Sequence, residues 1–394
     1  MTKAEYLAVC SQRWEDIQNL SNLNSLYEIE KQLDEIWTDL GGKILESTIG
    51  NVPTNHRLKK KLQTKFGEIE VSTTSDLING FTGQKISHYL QEKLLYIGQM
   101  DCYERGSEIA QMLLNIKTND TAIYRITDKI GEQSLAISES ENFRDPVQLE
   151  EGEILYIEAD GSMLQTREAG WKEAKLGRIF KSSAISNESE NRNSINCSEY
   201  VATLGNHKEF AIKMSAIIGD AYEKWKDRLV FINDGARWQW NWIDVSYPQA
   251  TQILDFYHAM ENIGKYVSFS VTKSKRTAYM EVIGKTLKEN GVDEAVKMLE
   301  KIPRKSKTKE EKYQTLLTYI SHNRGRMDYP KYIQKGLLIG SGAIESAHRT
   351  VLQKRMKQSG QRWSIKGLKN IMSLRVLKMS GYWDKITDLV KNAA

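Results

Sequence analysis

The chain is 394 residues long, 40% hydrophobic and 27% charged, with 56 Lys and Arg against 51 Asp and Glu for a net charge of +5; its mean hydropathy is −0.53. That composition excludes a fibrous or intrinsically disordered chain, and at about 150 residues per domain the length predicts two to three domains. No apolar run approaches the roughly 18–20 residues that a membrane helix needs, the polar start MTKAEYLAVCSQRWEDIQ has no secretory core, and three widely spaced cysteines, Cys10, Cys102 and Cys197, argue against a disulfide framework or a paired-cysteine zinc finger.

A reducing cytoplasm is therefore the expected compartment. The charge is unevenly placed: residues 261–394 carry a net +16 and residues 1–260 a net −11. Such a split fits either a polyanion held by the C-terminal third or a solvated, lysine-rich helical region.

Residues 1–48 read as helical, with Leu20, Leu23, Leu26, Tyr27, Ile29, Leu33, Ile36 and Trp37 recurring at three- and four-residue steps until Gly41-Gly42 breaks the pattern. A basic stretch at 56–65, HRLKKKLQTK, precedes one strand, FGEIEVS, which is expected to end near Thr73. From 84 to 135, HYLQEKLLYIGQ, SEIAQMLLNI and DTAIYRITDKIG read as three helices. Lys117-Thr118-Asn119 separates the last two, and Asp120 is expected to cap the third. Short helices so closely joined resemble a helix-turn-helix, a pattern that many all-helical domains share. Residues 136–152 read as a linker.

From 153 the texture changes. EILYIEADG, EAKLGRIF and SEYVATLG read as strands, HKEFAIKMSAIIGDAYEKW as an amphipathic helix, and RLVFINDGA and ATQILDFYH as two further strands. This is an α/β arrangement with one mixed sheet flanked by helices. Residues 265–335 are basic with few strand signals and read as a helical insertion, after which a long helix begins at Ser341. The expected divisions are 1–50 (N-terminal helices), 51–145 (helix-turn-helix-like, a candidate DNA-binding region), 150–264 (first part of an α/β core), 265–335 (insertion) and 336–394 (C-terminal helices of the core).

Two strand ends carry an acid followed by glycine, Asp160-Gly161 and Asp234-Gly235, and the carboxyl edge of such strands is where α/β folds place ligands. In GSGAIES, Ser341 is a candidate helix cap and Glu345 lies in the first turn, with Arg349 four residues on and a basic stretch beyond. Three converging carboxylates repel one another unless cations sit among them. Magnesium or manganese takes oxygen ligands, and two such ions can clamp a scissile phosphate. Lys354, Arg355, Lys357 and Arg362 are candidate phosphate contacts, and Trp363 beside Arg362 is a candidate platform for an unpaired base. Trp238, Trp240 and Trp242 are expected to pack a corner behind Asp234. Neither a dinucleotide loop nor a phosphate-binding GxxxxGK[ST] loop occurs.

With these residues in view, the chain resembles the bacterial insertion-sequence transposases with an RNase H-like DDE core, in the branch related to Mutator-type elements. The resemblance rests on YIEADG, KEAKLG, FINDGARWQW, QILDFYHA, GSGAIES and RMKQSGQRW, and spans roughly 150–385. It implies an RNase H-like mixed sheet, with Asp160, Asp234 and Glu345 as a triad holding two magnesium or manganese ions. It also implies a role for His258 near the scissile phosphate, with Asp255 as its partner in a D-x-x-H motif. The implied partners are double-stranded DNA, as terminal inverted repeats and target, and further copies of the chain in a dimer or higher assembly at the nucleoid. The implied reaction is hydrolysis at the element end followed by attack of the freed 3′-OH on target DNA. An RNase H-like nuclease or resolvase that cuts without joining, and a non-catalytic DNA-binding descendant of a transposase, remain alternatives.

Overall fold

A computed structural model describes residues 2–23, 25–49, 59–72, 85–139, 144–189 and 192–392. They divide into two units, residues 1–137 with 382–394, and residues 138–381. The final helix therefore belongs with the N-terminal residues, and the C-terminal helices of the second unit end at 381 rather than 394.

In the first unit, helix Leu26–Ile49 runs straight through the glycine pair expected to end it. The glycines serve packing instead: a Cβ at Gly41 would come within 2.6 Å of the Phe66 ring, and one at Gly42 within 2.8 Å of the Phe66 carbonyl. Phe66 sits in the turn between β1 (Lys59–Thr64) and β2 (Gly67–Ser72), an antiparallel hairpin. The basic stretch is thus itself a strand, its described part held by Lys59–Glu70 and Lys61–Glu68 pairs at 3.1 and 2.7 Å; residues 56–58 and Thr73 lie outside the described residues. Helices His88–Met100, Tyr103–Leu114 and Asp120–Ser138 follow. Asn119, not Asp120, caps the last of these, its Oδ1 accepting the Ala122 N–H at 2.8 Å. Helix Trp383–Lys391 completes the unit, with Trp383 edge-on to Tyr96 at 5.0 Å. Part of the expected linker, 140–143, lies outside the described residues.

The second unit is built on a long antiparallel hairpin, β3 (Leu155–Thr166) and β4 (Gly170–Lys181). A short hairpin, β5 (Ile185–Ser189) and β6 (Arg192–Ile195), leads to β7 (Glu199–Leu204), antiparallel to β4. Helix His207–Ile218 then returns the chain to β8 (Leu229–Asn233), parallel to β3, and β9 (Thr251–Leu254) lies parallel to β8. The order is β7-β4-β3-β8-β9, a mixed sheet flanked by helices and compatible with an RNase H-like fold. All five residues of β8 are buried, as a strand covered on both faces requires. Trp240 and Trp242 are buried too, Trp242 meeting Phe231 edge-on at 5.8 Å, so the tryptophans pack behind Asp234 as expected.

β9 is shorter than its sequence suggests. Asp255 leaves the strand and caps helix Phe256–Ser270, its Oδ1 accepting the His258 N–H at 2.7 Å. Helices Lys273–Glu289, Val292–Glu300, Lys307–Asn323 and Tyr329–Gln334 fill the expected insertion. The long helix expected from Ser341 is interrupted: Gly342–Ala347 is α-helical, His348–Gln353 widens to a π-turn, and Lys354–Met356 closes it. Such widenings are rare and recur at functional sites. Buried Arg375, on helix Ile365–Met379, donates to the Val351 carbonyl at 2.5 Å and to that of Thr350.

Candidate active site

Period-two alternation puts Tyr156, Glu158, Asp160, Ser162 and Leu164 on one face of β3. On the parallel side, Ala159 and Asn233 are the last registered pair between β3 and β8. The next residues are Asp160, midway along β3, and Asp234, just past the end of β8, so the two acids stand side by side where neighbouring strands run about 4.8 Å apart. Two buried amides fix the strand end: Asn233 Oδ1 accepts the Ala159 N–H at 2.9 Å, and Gln239 Nε2 donates to the Ala159 carbonyl at 2.8 Å. Asp160 Oδ1 accepts the Gly161 N–H at 2.6 Å and Asp234 Oδ1 the Ala236 N–H at 3.0 Å.

Burial, and then the charge of Asp234, push the Asp160 carboxyl up, while His348, the Gly161 N–H and His258 pull it down. His258, half-buried, has its Nδ1 3.5 Å from Asp255 Oδ1. The hydrogen bond to Asp255, with Asp234 and Glu261 adding to it, raises the imidazole to about 9 against its partial burial. The carboxylates of Asp255, Asp234 and Glu261 thus favour the protonated form of His258. Asp255 is itself buried. Burial alone would raise it, but hydrogen bonds from His258 and Ser341 hold it below the usual carboxylate range. Ser341 donates both its N–H and, at 2.5 Å, its hydroxyl to Asp255 Oδ2.

Glu345 is exposed on the first turn of the Gly342–Ala347 helix. His348, one turn later, is buried, with Nε2 3.5 Å from Asp160 Oδ2. Among the described residues neither ring nitrogen of His348 has a hydrogen-bond partner. Burial holds the ring below its ordinary pKa, with Asp160 working against it. Glu158, fully buried, accepts the Ile344 N–H at 2.7 Å. Burial pushes Glu158 up to about 8, opposed by that N–H and by Arg178 and reinforced by Asp255 and Glu345.

Among the described residues no three His, Cys, Asp or Glu side chains are grouped closely enough to hold a metal ion. The donor chemistry nonetheless fits a hard divalent cation: two carboxylates on neighbouring strands, Asp160 raised by burial and then by the charge of Asp234, with the His348 imidazole 3.5 Å from Asp160.

The structure brings Asp160, Asp234, Asp255 and His258 near one another, the charges of Asp234 and His258 both acting on Asp160. Lys354, Lys357, Arg362 and Arg349 are exposed. Arg355 and Trp363 are not surface groups. The Arg355 guanidinium lies 4.8 Å from the Trp363 ring, both residues are buried, and the Trp363 indole donates to the Met356 carbonyl at 3.2 Å. Trp363 also bridges to Thr166, and its carbonyl takes the Arg167 N–H at 2.8 Å. It splices the basic loop to the tip of β3, so a base-stacking role for it and a phosphate contact for Arg355 are corrected.

Sequence reasoning missed Glu158, Arg178 and His348. Each left a signal: Glu158 is an acid inside an apolar strand, two residues before Asp160 and so on its face; Arg178 interrupts LGRIF; and His348 follows Glu345 by three, one helical turn.

A family model described as an uncharacterised protein family, UPF0236, matches residues 78–392. No curated protein matches the chain. Among the described residues no helix is long and apolar enough to cross a membrane.

Proposed function

We propose that this chain, which belongs to the UPF0236 family, is a DDE-type DNA transposase that cuts the ends of its insertion sequence and joins the freed 3′-OH to target DNA. The observation that carries the reading is the register of Asp160 and Asp234, one position past the Ala159–Asn233 pair. It sets two carboxylates side by side where the parallel pairing of β3 and β8 ends, beside the carboxyl end of β8, the kind of edge at which ligands of such sheets bind.

Asp160 and Asp234 would hold magnesium or manganese, with Glu345 completing the set from the neighbouring helix. Bound there, the ions would neutralise charge on the scissile phosphate and acidify the attacking hydroxyl. The chain's own groups do the rest. Asn233 and Gln239 lock the strand end, so Asp160 is presented from a fixed backbone. Asp255 keeps His258 protonated, which places a positive charge at the edge that a phosphodiester must approach. Exposed Lys354, Lys357 and Arg362 are the phosphate contacts, bringing affinity that falls with salt. Joining requires two element ends held together, so the active form is a dimer or higher assembly.

The test is a cleavage and strand-transfer assay with magnesium, on DNA carrying the element's ends and on pre-cleaved ends. Both steps are expected, and both are lost in Asp160→Asn. Cutting without joining would replace the transposase by an RNase H-like nuclease. Neither step, with DNA still bound, would leave a non-catalytic DNA-binding protein.

A further inference from the structure

We infer that Glu158 and Arg178 are positioning residues: together they grip the single peptide group between Ala343 and Ile344, and so set the helix bearing Glu345 and His348 against Asp160. The catalytic meaning of that placement rests on the function proposed above, whereas the grip itself does not.

Successive residues on one face of β3 meet successive points of the returning chain. The Tyr156 hydroxyl accepts the Leu338 N–H at 3.3 Å, Glu158 Oε2 accepts the Ile344 N–H at 2.7 Å, and Asp160 Oδ2 lies 3.5 Å from His348. The segment is laid along the strand, and the middle contact sets its direction.

Glu158 and Arg178 stand directly opposite each other in the β3–β4 register. Arg178 Nη1 donates to the Ala343 carbonyl at 2.8 Å, while its Nε is fixed on the Ser198 hydroxyl at 2.9 Å. The Ala343 carbonyl and the Ile344 N–H belong to one planar amide. Holding both its acceptor and its donor leaves that plane little freedom, and the plane orients the first helical turn. At the other side of Gly342, Asp255 takes Ser341 by its N–H and hydroxyl.

The helix needs such help. Gly342–Ala347 runs only six residues before the chain widens into the π-turn at His348, and the N–H groups of its first turn have no partner inside the helix. The Glu158 carboxyl, accepting the Ile344 N–H, satisfies one of them. The arrangement is also costly: among the described residues Glu158 Oε1, fully buried, has no hydrogen-bond partner. An apolar residue there would fill the sheet at lower cost, but it would release the peptide.

The experiment uses the full chain, with Glu158→Ala, Glu158→Gln and Arg178→Met beside the wild type. Amide hydrogen exchange is followed over 341–348, and Mn²⁺ alone is titrated by calorimetry. In Glu158→Ala those amides are expected to exchange at least about tenfold faster, and Mn²⁺ affinity to fall about 10–100-fold, as when an outer partner of a metal site is removed. Glu158→Gln keeps an acceptor for Ile344 and is expected to restore both. Wild-type exchange and wild-type Mn²⁺ affinity in Glu158→Ala would overturn the inference, as would Glu158→Gln behaving like the alanine variant. Should Glu158→Ala lack a cooperative thermal transition, Arg178→Met reads the other half of the grip, and unchanged exchange there overturns it. If the wild type binds no Mn²⁺, the transposase reading fails, and the exchange rates alone decide the grip.

Discussion

His348 Nε2 lies 3.5 Å from Asp160 Oδ2, with the imidazole only 2% exposed and, among the described residues, no hydrogen-bond partner on either nitrogen. A buried polar ring without partners costs free energy, and in this protein it faces the acid that opens the candidate site. The π-turn that begins at His348 carries the ring there, and Arg375 supports the turn's carbonyls.

His348→Ala is therefore expected to lower single-turnover cleavage about 10–100-fold, while costing about 1–3 kcal/mol of stability. Denaturant melts and quenched cleavage assays measure the two separately. Wild-type cleavage by a stably folded variant would remove His348 from the site.

Asp160→Asn separates charge from structure. Burial and Asp234 both disfavour the ionised form of Asp160, so the neutral amide is expected to keep or raise the thermal midpoint in the absence of metal. Magnesium at ten times its Kd is expected to stabilise the wild type by about 1.4 kcal/mol and the variant by none. Equal magnesium shifts in the two proteins would place the ion elsewhere.

Much of the sheet is legible in the sequence, because apolar runs advertise its strands: RLVFINDG gives β8 with Asp234 just past its end, whereas EILYIEADG gives only the first half of β3, which runs on past Asp160 to Thr166 because β4 pairs with it throughout. What escapes is whatever depends on a distant partner. Gly41 and Gly42 look like breakers until Phe66 is brought against them. Arg355 and Trp363 look like DNA contacts because a cation beside an aromatic reads the same on a surface and in a core; only their burial and the backbone bridge to Thr166 distinguish the two. Glu158 is hidden by its neighbour: one acid at the strand end accounts for a ligand site by itself, and only the strand's alternation reveals a second on the same face.

The Asp255–His258 pair gives stability a definite pH dependence. The folded His258 imidazole is raised to about 9 from an ordinary value near 6.5, so folding favours its protonated form. The contribution is fully present below about pH 6.5 and is lost as pH rises through about 9. In His258→Gln the fall in stability between pH 6.5 and 9 is expected to flatten. Thermal midpoints of both proteins across that range check it. Parallel curves would mean that the pair contributes nothing on folding.

The basic segment after the π-turn divides into two kinds of residue, and substitution should separate them. Buried Trp363 anchors the loop to the tip of β3 through Thr166 and Arg167, so Trp363→Ala is expected to cost about 3–5 kcal/mol of stability, with affinity per folded molecule for DNA little changed. Exposed Lys354, Lys357 and Arg362 carry charge that folding does not consume. Replacing all three by alanine is expected to leave the melting curve in place, to weaken binding to every DNA sequence alike, and to reduce the slope of log affinity against log salt by about 0.9 for each phosphate no longer neutralised. Fluorescence anisotropy with duplex DNA between low and moderate salt measures that slope. If the triple variant keeps the wild-type slope, the DNA backbone is held on another face, and the positive C-terminal third is a solvated helical surface.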